Sequence, residues 1–259
     1  MTRSTRSGIW SFALGALVGA ACTGAPQQTA PSPTATVALA APSPAATPAA
    51  SSPQPSPTPT GGTVWAWGHN LLGQLGDGTT TQRTTPVQVS GLSGVIAIEA
   101  PGLYSLALRS DGTVWAWGYQ GLGQLADVTT NRRTTPVLVS GLSGIIAIAA
   151  GGASLALRSD GSVWAWGQNY SGQLGDGTTT QRTTPVQVSG LSGIIAIAAG
   201  SDHSLALRSG GTVWAWGSNV FGALGDGTAT RHTTPVLSGF SPAAGIAAEC
   251  GHSLARRAP

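Results

Sequence analysis

From residue 61 onward, apolar positions come in short runs separated by Gly, Ser and Asp. In the stretch from 194 to 237 these runs are IIAIAAG (194–200), HSLALRS (203–209), TVWAWG (212–217) and PVL (235–237). Runs this short, rich in Ile, Val and Trp and bounded by turn residues, predict strands rather than helices. The third run alternates large and small. In its first copy Trp65 and Trp67 face one way, and Val64, Ala66 and Gly68 the other. Neither face is polar, so both must be covered. Ser110-Asp111-Gly112 and Ser159-Asp160-Gly161 link the second run to the third, and Asp-Gly supplies the backbone of a tight hairpin turn.

The runs recur. The phrase [TS]VWAWG stands at 63–68, 113–118, 162–167 and 212–217, with spacings of 50, 49 and 50 residues. Each copy is followed by G[QA]L[GA]D and TTPV, and residues 73–94 and 172–193 are identical. A period of this length means a repeat architecture. A sheet with two apolar faces must lie between neighbours, which is the situation of a propeller blade, and the eight repeat tryptophans are then blade packing. The predicted fold is all-β, with four propeller-type units of four short antiparallel strands. The repeats start at a third strand and stop after a second strand. Strands from the two ends could share one blade and close a four-blade ring. An open arc, or two chains sharing an eight-blade ring, are the alternatives.

The residues before the repeats differ in kind. Residues 1–22 read as an export signal: Arg3 and Arg6, an apolar run over 8–21, then Gly19, Ala20 and Ala21 before Cys22. The run is too short to span a bilayer. It is similar to a bacterial lipoprotein signal, which makes Cys22 the expected lipidation site and the cell envelope the expected location, with plain secretion as the alternative. With Cys22 acylated, Cys250 would be left as a lone thiol; pairing of the two cysteines is the other reading. Residues 23–60 carry no charge and consist almost wholly of Pro, Ala, Ser and Thr. They predict a disordered tether with a reach on the order of 100 Å.

Charge removes one class of partner. The formal net charge is +3, but from residue 61 onward ten Arg face nine acidic residues. That leaves no basic stripe for nucleic acid. No phosphate loop, nucleophile elbow or metal-ligand cluster is present, so no cofactor and no enzymatic activity are expected. The one catalytic alternative is a carboxylate pair, Glu99 and Glu249, near the axis of a closed ring, as a glycosidase would need.

The unit AIAAG-x-x-HSLALRS-x-G-TVWAWG-x-N-x-x-G-x-LGDGT…TTPV resembles the repeat of the regulator of chromosome condensation family over residues 61–259. The resemblance implies a β-propeller of four-stranded blades, usually seven; here there are four units. It also implies functions known in relatives, namely guanine-nucleotide exchange on a small GTPase and β-lactamase inhibition. An export signal disfavours the first.

The copies differ mainly at one end of the units, where the first-to-second and third-to-fourth connections emerge. Variable residues on a constant scaffold suit a binding surface. The expected partner-binding residues are Tyr104, Tyr119, Tyr170, Asp202, His203, Val220 and Phe221, with a protein or glycan at the cell surface as partner. His203 has a structural alternative, a hydrogen bond at a strand start. The wider alternative is an architectural surface protein with no dedicated ligand.

Overall fold

The computed structural model describes residues 61–127 and 132–257. These residues form sixteen strands and no helix. The signal, Cys22 and the tether lie outside the described residues.

Three complete blades and two half-blades follow one another. The first half-blade is β1 (Trp65–Gly68) with β2 (Arg83–Gln88). The complete blades are β3 (Val95–Glu99), β4 (Tyr104–Arg109), β5 (Val114–Gly118) and β6 (Arg133–Leu138); β7 (Ile145–Ala150), β8 (Ala153–Arg158), β9 (Val163–Gly167) and β10 (Arg182–Gln187); and β11 (Ile194–Ala199), β12 (His203–Arg208), β13 (Val213–Gly217) and β14 (His232–Leu237). The last half-blade is β15 (Gly245–Glu249) with β16 (His252–Arg256). Every pairing is antiparallel between sequence neighbours. The two half-blades are separate sheets. The closed four-blade ring is therefore not formed, and the units make an open arc.

The fourth strand is longer than the PVL run predicts, because two threonines and the Arg or His before them join it. Pro86, Pro136, Pro185 and Pro235 sit on outermost strands, where the missing N–H interrupts no ladder.

Blades stack through their tryptophans. The second Trp of each complete blade is buried against the preceding unit, and its indole N–H donates to a backbone carbonyl there. Trp117, Trp166 and Trp216 donate to the carbonyls of Gln74, Gln124 and Gln173, each at 2.8 Å. Ser105 and Ser204 donate to the same Gln74 and Gln173 carbonyls at 2.9 Å. Leu174, Val188, Leu155 and Trp216 belong to one core cluster. The first Trp of each blade is half-buried; Arg109 and Arg158 lie 6.0 and 4.8 Å from the rings of Trp115 and Trp164.

The hairpin turn adds a polar brace. Asp111 accepts from the Thr113 hydroxyl at 2.6 Å, and that hydroxyl accepts from the Trp115 indole at 3.1 Å. Asp160, Ser162 and Trp164 repeat the chain. In the third complete blade Gly210 replaces the Asp, and the buried Thr212 hydroxyl and Trp214 indole N–H have no partner.

Candidate binding face

The third-to-fourth connection of each unit is a long loop, yet a buried side chain holds it in one shape. In the first unit that side chain is Asn70. Its Oδ1 accepts from the Leu75 N–H at 3.0 Å, and its Nδ2 donates to the Thr81 carbonyl at 3.0 Å and to Asp77 at 3.2 Å. Asn169 repeats this set, and Asn219 repeats it with the Thr228 carbonyl as its backbone acceptor; they accept from Leu174 and Leu224 at 2.9 and 3.0 Å. Gln120 takes the place in the second unit, accepting from Leu125 and donating to Asp127 at 2.9 Å.

The same loop carries an ion pair that closes it. Asp77 meets Arg83 at 2.7 Å, Asp127 meets Arg133 at 2.6 Å, and Asp176 meets Arg182 at 2.6 Å. In the fourth unit His232 meets Asp226 at 3.0 Å. Burial pushes the Asp77 carboxyl up, but hydrogen bonds from Thr79 and Arg83 outweigh it and bring it down to about 2. Asp176 is held below the ordinary range by the same balance.

On each such knuckle two residues form the tip. A glutamine brace sits behind the tip in three units: Gln74, Gln124 and Gln173 accept from the N–H of Leu72, Leu122 and Ser171 at 2.9–3.0 Å. Ala223 stands at this position in the fourth unit. Neighbouring knuckles are linked, since Arg132 donates to the Leu71 carbonyl at 3.4 Å and Arg231 to the Tyr170 carbonyl at 3.3 Å.

The tips are unlike one another. Leu71, Tyr170, Val220 and Phe221 are exposed, Phe221 to 83%. The Gln181 amide donates to the Tyr170 hydroxyl. Phe221 lies against Gly251 of the last half-blade. Tyr119 is half-buried, with its ring folded over Gly121.

Three of the sequence-predicted partner residues stand elsewhere. Tyr104 is buried, not a loop tip: it opens β4, and its hydroxyl reaches Ser154 of the next blade at 2.8 Å. Burial pushes that hydroxyl up, against the Ser154 bond and with the Glu99 charge. His203 is likewise buried, and Nε2 meets Ser253 of the following half-blade at 2.9 Å. Burial pushes its imidazole down, and His252 adds to this. Asp202 is half-buried and accepts from Gln168 and Gln173 at 3.2 and 3.4 Å; burial raises its carboxyl. Tyr104 and His203 thus tie blades together and present no surface to a partner. Asp202 supports the knuckle from beneath.

Two features of this face were not among the predicted residues. Leu71 is an exposed tip. The Asn staple lies within the run read as variable, and its signal is a polar residue recurring in three of four copies ahead of G-x-LGDGT. Glu99 and Glu249 do not form a pair. β3 packs on β7 and β15 packs on β11 and β12, which puts the two carboxylates at opposite ends of the row. Among the described residues no group of three metal-ligating side chains occurs.

Stacked four-stranded blades with a conserved Trp-to-carbonyl contact define the chain as a propeller-repeat protein. The RCC1-like domain family matches residues 20–258, and the chain belongs to that family. Among solved structures it is similar to human WBSCR16, at 26% identity over 75% of this chain and 53% of that one, with a TM-score of 0.67. It is also similar to Prp20p of Saccharomyces cerevisiae, whose structure was described with its binding properties to Gsp1p and histones (24% identity, 75% and 51% covered, TM-score 0.65). Yeast RCC1 (Prp20) bound to Kap60 gives 22% identity, 76% and 51% covered, and a TM-score of 0.64. At these identities the two yeast structures show the fold alone. The chain spans about half the length of each. No curated protein matches it.

Proposed function

We propose that the protein is a non-catalytic binding module whose knuckle-bearing face engages a protein or glycan outside the cytoplasm. One observation carries this reading: loops of one shape, each held by internal hydrogen bonds, display unlike, exposed apolar and aromatic tips. Exposed aromatic and aliphatic groups on a rigid frame lose little conformational freedom on binding, which favours affinity. Protein partners are also what the yeast structures involve: Prp20p binds Gsp1p and histones, and yeast RCC1 (Prp20) was solved bound to Kap60. The export signal and Cys22 supply the location: a lipid-anchored module held off the envelope by the residue 23–60 tether.

The test is a triple substitution, Tyr170→Ala, Val220→Ala and Phe221→Ala, screened against purified extracytoplasmic proteins and a glycan panel. The wild-type chain should bind at least one member, and the variant should lose at least tenfold in affinity with an unchanged melting temperature. Equal affinity for the variant would remove this face as the site. Metabolic labelling with palmitate should mark the wild-type chain and not Cys22→Ser; no label on either would remove the anchor.

A further inference from the structure

The two half-blades are the two halves of one interface. Within the chain, the second strand of each complete blade pairs with its third in a fixed register: Ser105 opposite Trp117, Ser154 opposite Trp166, Ser204 opposite Trp216. Leu106, Leu155 and Leu205 lie opposite Ala116, Ala165 and Ala215. β16 shares Ser-Leu-Ala with these second strands, with Arg256 where they have Leu, and β1 has the same sequence as the third strands. Yet among the described residues β16 has no third strand beside it and β1 no second strand.

Exposure shows what is missing at each end. Leu254 on β16 is 63% exposed, whereas Leu106, Leu155 and Leu205 are at 2% or less. Trp67 on β1 is 63% exposed, whereas Trp117, Trp166 and Trp216 are at 2% or less. Ile98, on the first complete blade behind β1, is 60% exposed, against 8% for Ile148 one blade on.

A pocket of about 330 Å³ beside β16 has the kind of lining that surrounds the indole in the complete blades. It is lined by Leu205, Val213, Ala223, Leu224, Gly225 and Ser253, among others. One unit earlier, Leu155, Val163, Leu174 and Val188 cluster with Trp216. Glycine positions confirm the correspondence. A Cβ on Gly76 or Gly175 would stand 2.8 Å from the indole nitrogen of Trp117 or Trp216. At Gly225 the nearest atom would be the Ser238 Cβ, at 3.7 Å. The acceptor is in place too: the Ala223 carbonyl already takes the Ser253 hydroxyl at 2.7 Å, as Gln74 and Gln173 take Ser105 and Ser204.

We propose that a second copy of this chain fills that site. β1 of one copy adds to the free edge of β16 of the other, completing a four-stranded blade from β15, β16, β1 and β2. In the register of the other blades, Trp67 faces Ser253, Ala66 faces Leu254 and Trp65 faces Ala255. Trp67 enters the pocket and donates to the Ala223 carbonyl. His252 then reaches Ser105 of the second copy, as His203 reaches Ser253, and β15 covers Ile98. Such a contact is head-to-tail, so it either closes a ring or grows into a filament. Two copies make a closed ring of eight blades. This pairing is independent of the knuckle-face reading, since it uses the strand edges and not the tips.

The experiment is sedimentation of the purified full chain in density-matched detergent across the micromolar range, with hydrogen exchange read on the same samples. The expected mass is twice that of the monomer. Amides of residues 64–68 and 252–256 should slow together as concentration rises. Trp67→Ala should weaken association roughly thirtyfold or more, and Leu254→Asp should abolish it. Both residues are exposed within one copy, so neither variant should change the melting temperature at dilution. A monomer at every concentration overturns the proposal. So does association that survives both substitutions, or a monomer in which both edges are already protected.

Discussion

Removing the Asn169 staple tests whether the binding face is a rigid frame. In Asn169→Ala the Leu174 N–H loses the Asn169 Oδ1 acceptor, at a residue with no solvent exposure. An unsatisfied buried N–H costs about 1–3 kcal/mol. The Thr178 and Thr180 carbonyls also lose a donor, but both lie near the surface, where water replaces most of it, and together they add less than about 1 kcal/mol. The sum is about 3 kcal/mol. For a domain of this size each kcal/mol is roughly 2–4 °C, so melting by circular dichroism should fall by about 6–12 °C. Hydrogen exchange should speed up within residues 168–181 before it does so in the strands. Asn169→Gln should recover at least half the loss, because Gln120 fills the same role one unit earlier. A loss under about 1 kcal/mol for the alanine variant, or a glutamine variant no better than alanine, would refute the idea that this side chain sets the loop.

Other consequences follow from the same contacts. Asp77 sits at about 2 in the folded chain against an ordinary 3.8; its stabilisation is complete above the ordinary value and is lost as pH falls through about 2, so Asp77→Asn should flatten acid unfolding in that window, and an unchanged profile would contradict the assignment. Gly210→Asp should restore the Thr212 and Trp214 chain seen twice elsewhere and raise the melting temperature by about 2–4 °C, for about 1 kcal/mol; a lower melting temperature would mean that the turn, with Gly210 at φ 95°, cannot take the Asp160 conformation. Trp166→Phe should cost about 3 kcal/mol through a cavity and a bare Gln124 carbonyl, while Trp67→Phe measured at dilution should cost less than about 0.5 kcal/mol. Equal losses would deny that the two tryptophans occupy different environments.

Much of the blade is written in the sequence because its period-2 pattern has no polar face. Trp and Ala alternate so regularly that the third strand and its two covered sides follow directly. The Asp-Gly turns fix the hairpins. What the pattern leaves open is how far a row of blades curves, since that depends on the angle at which Trp166 and Trp216 seat against the preceding unit. Strand-level reading therefore allowed a closed ring and an open arc alike. The binding residues were partly legible for a related reason. Tyr104 and His203 look like loop residues because each ends a short connection that holds a glycine, Gly102 or Gly200, but their partners, Ser154 and Ser253, lie one whole unit on. No local pattern shows a contact across fifty residues; the recurrence of Ser one position after Tyr104 and His203 was the available clue. Asn70, Asn169 and Asn219 recur in the motif, but nothing in the pattern shows that the side chain is buried and holds the loop. Val220 and Phe221 stand out in the sequence because the fourth copy carries an aliphatic and an aromatic residue in the run that differs between copies.

In the proposed function the knuckle scaffold recurs from unit to unit and the tips make the contact with a partner. Residues 73–94 and 172–193 are identical, so the tips that precede them, Leu71-Leu72 and Tyr170-Ser171, can be exchanged without touching either frame. Affinity of the exchanged chain for a ligand identified with the wild type, read by interferometry, is the direct measurement. Binding should fall at least tenfold while the melting temperature stays within about 2 °C, a change of under about 1 kcal/mol. Undiminished affinity would contradict the account, because the order of the tips would then carry no information.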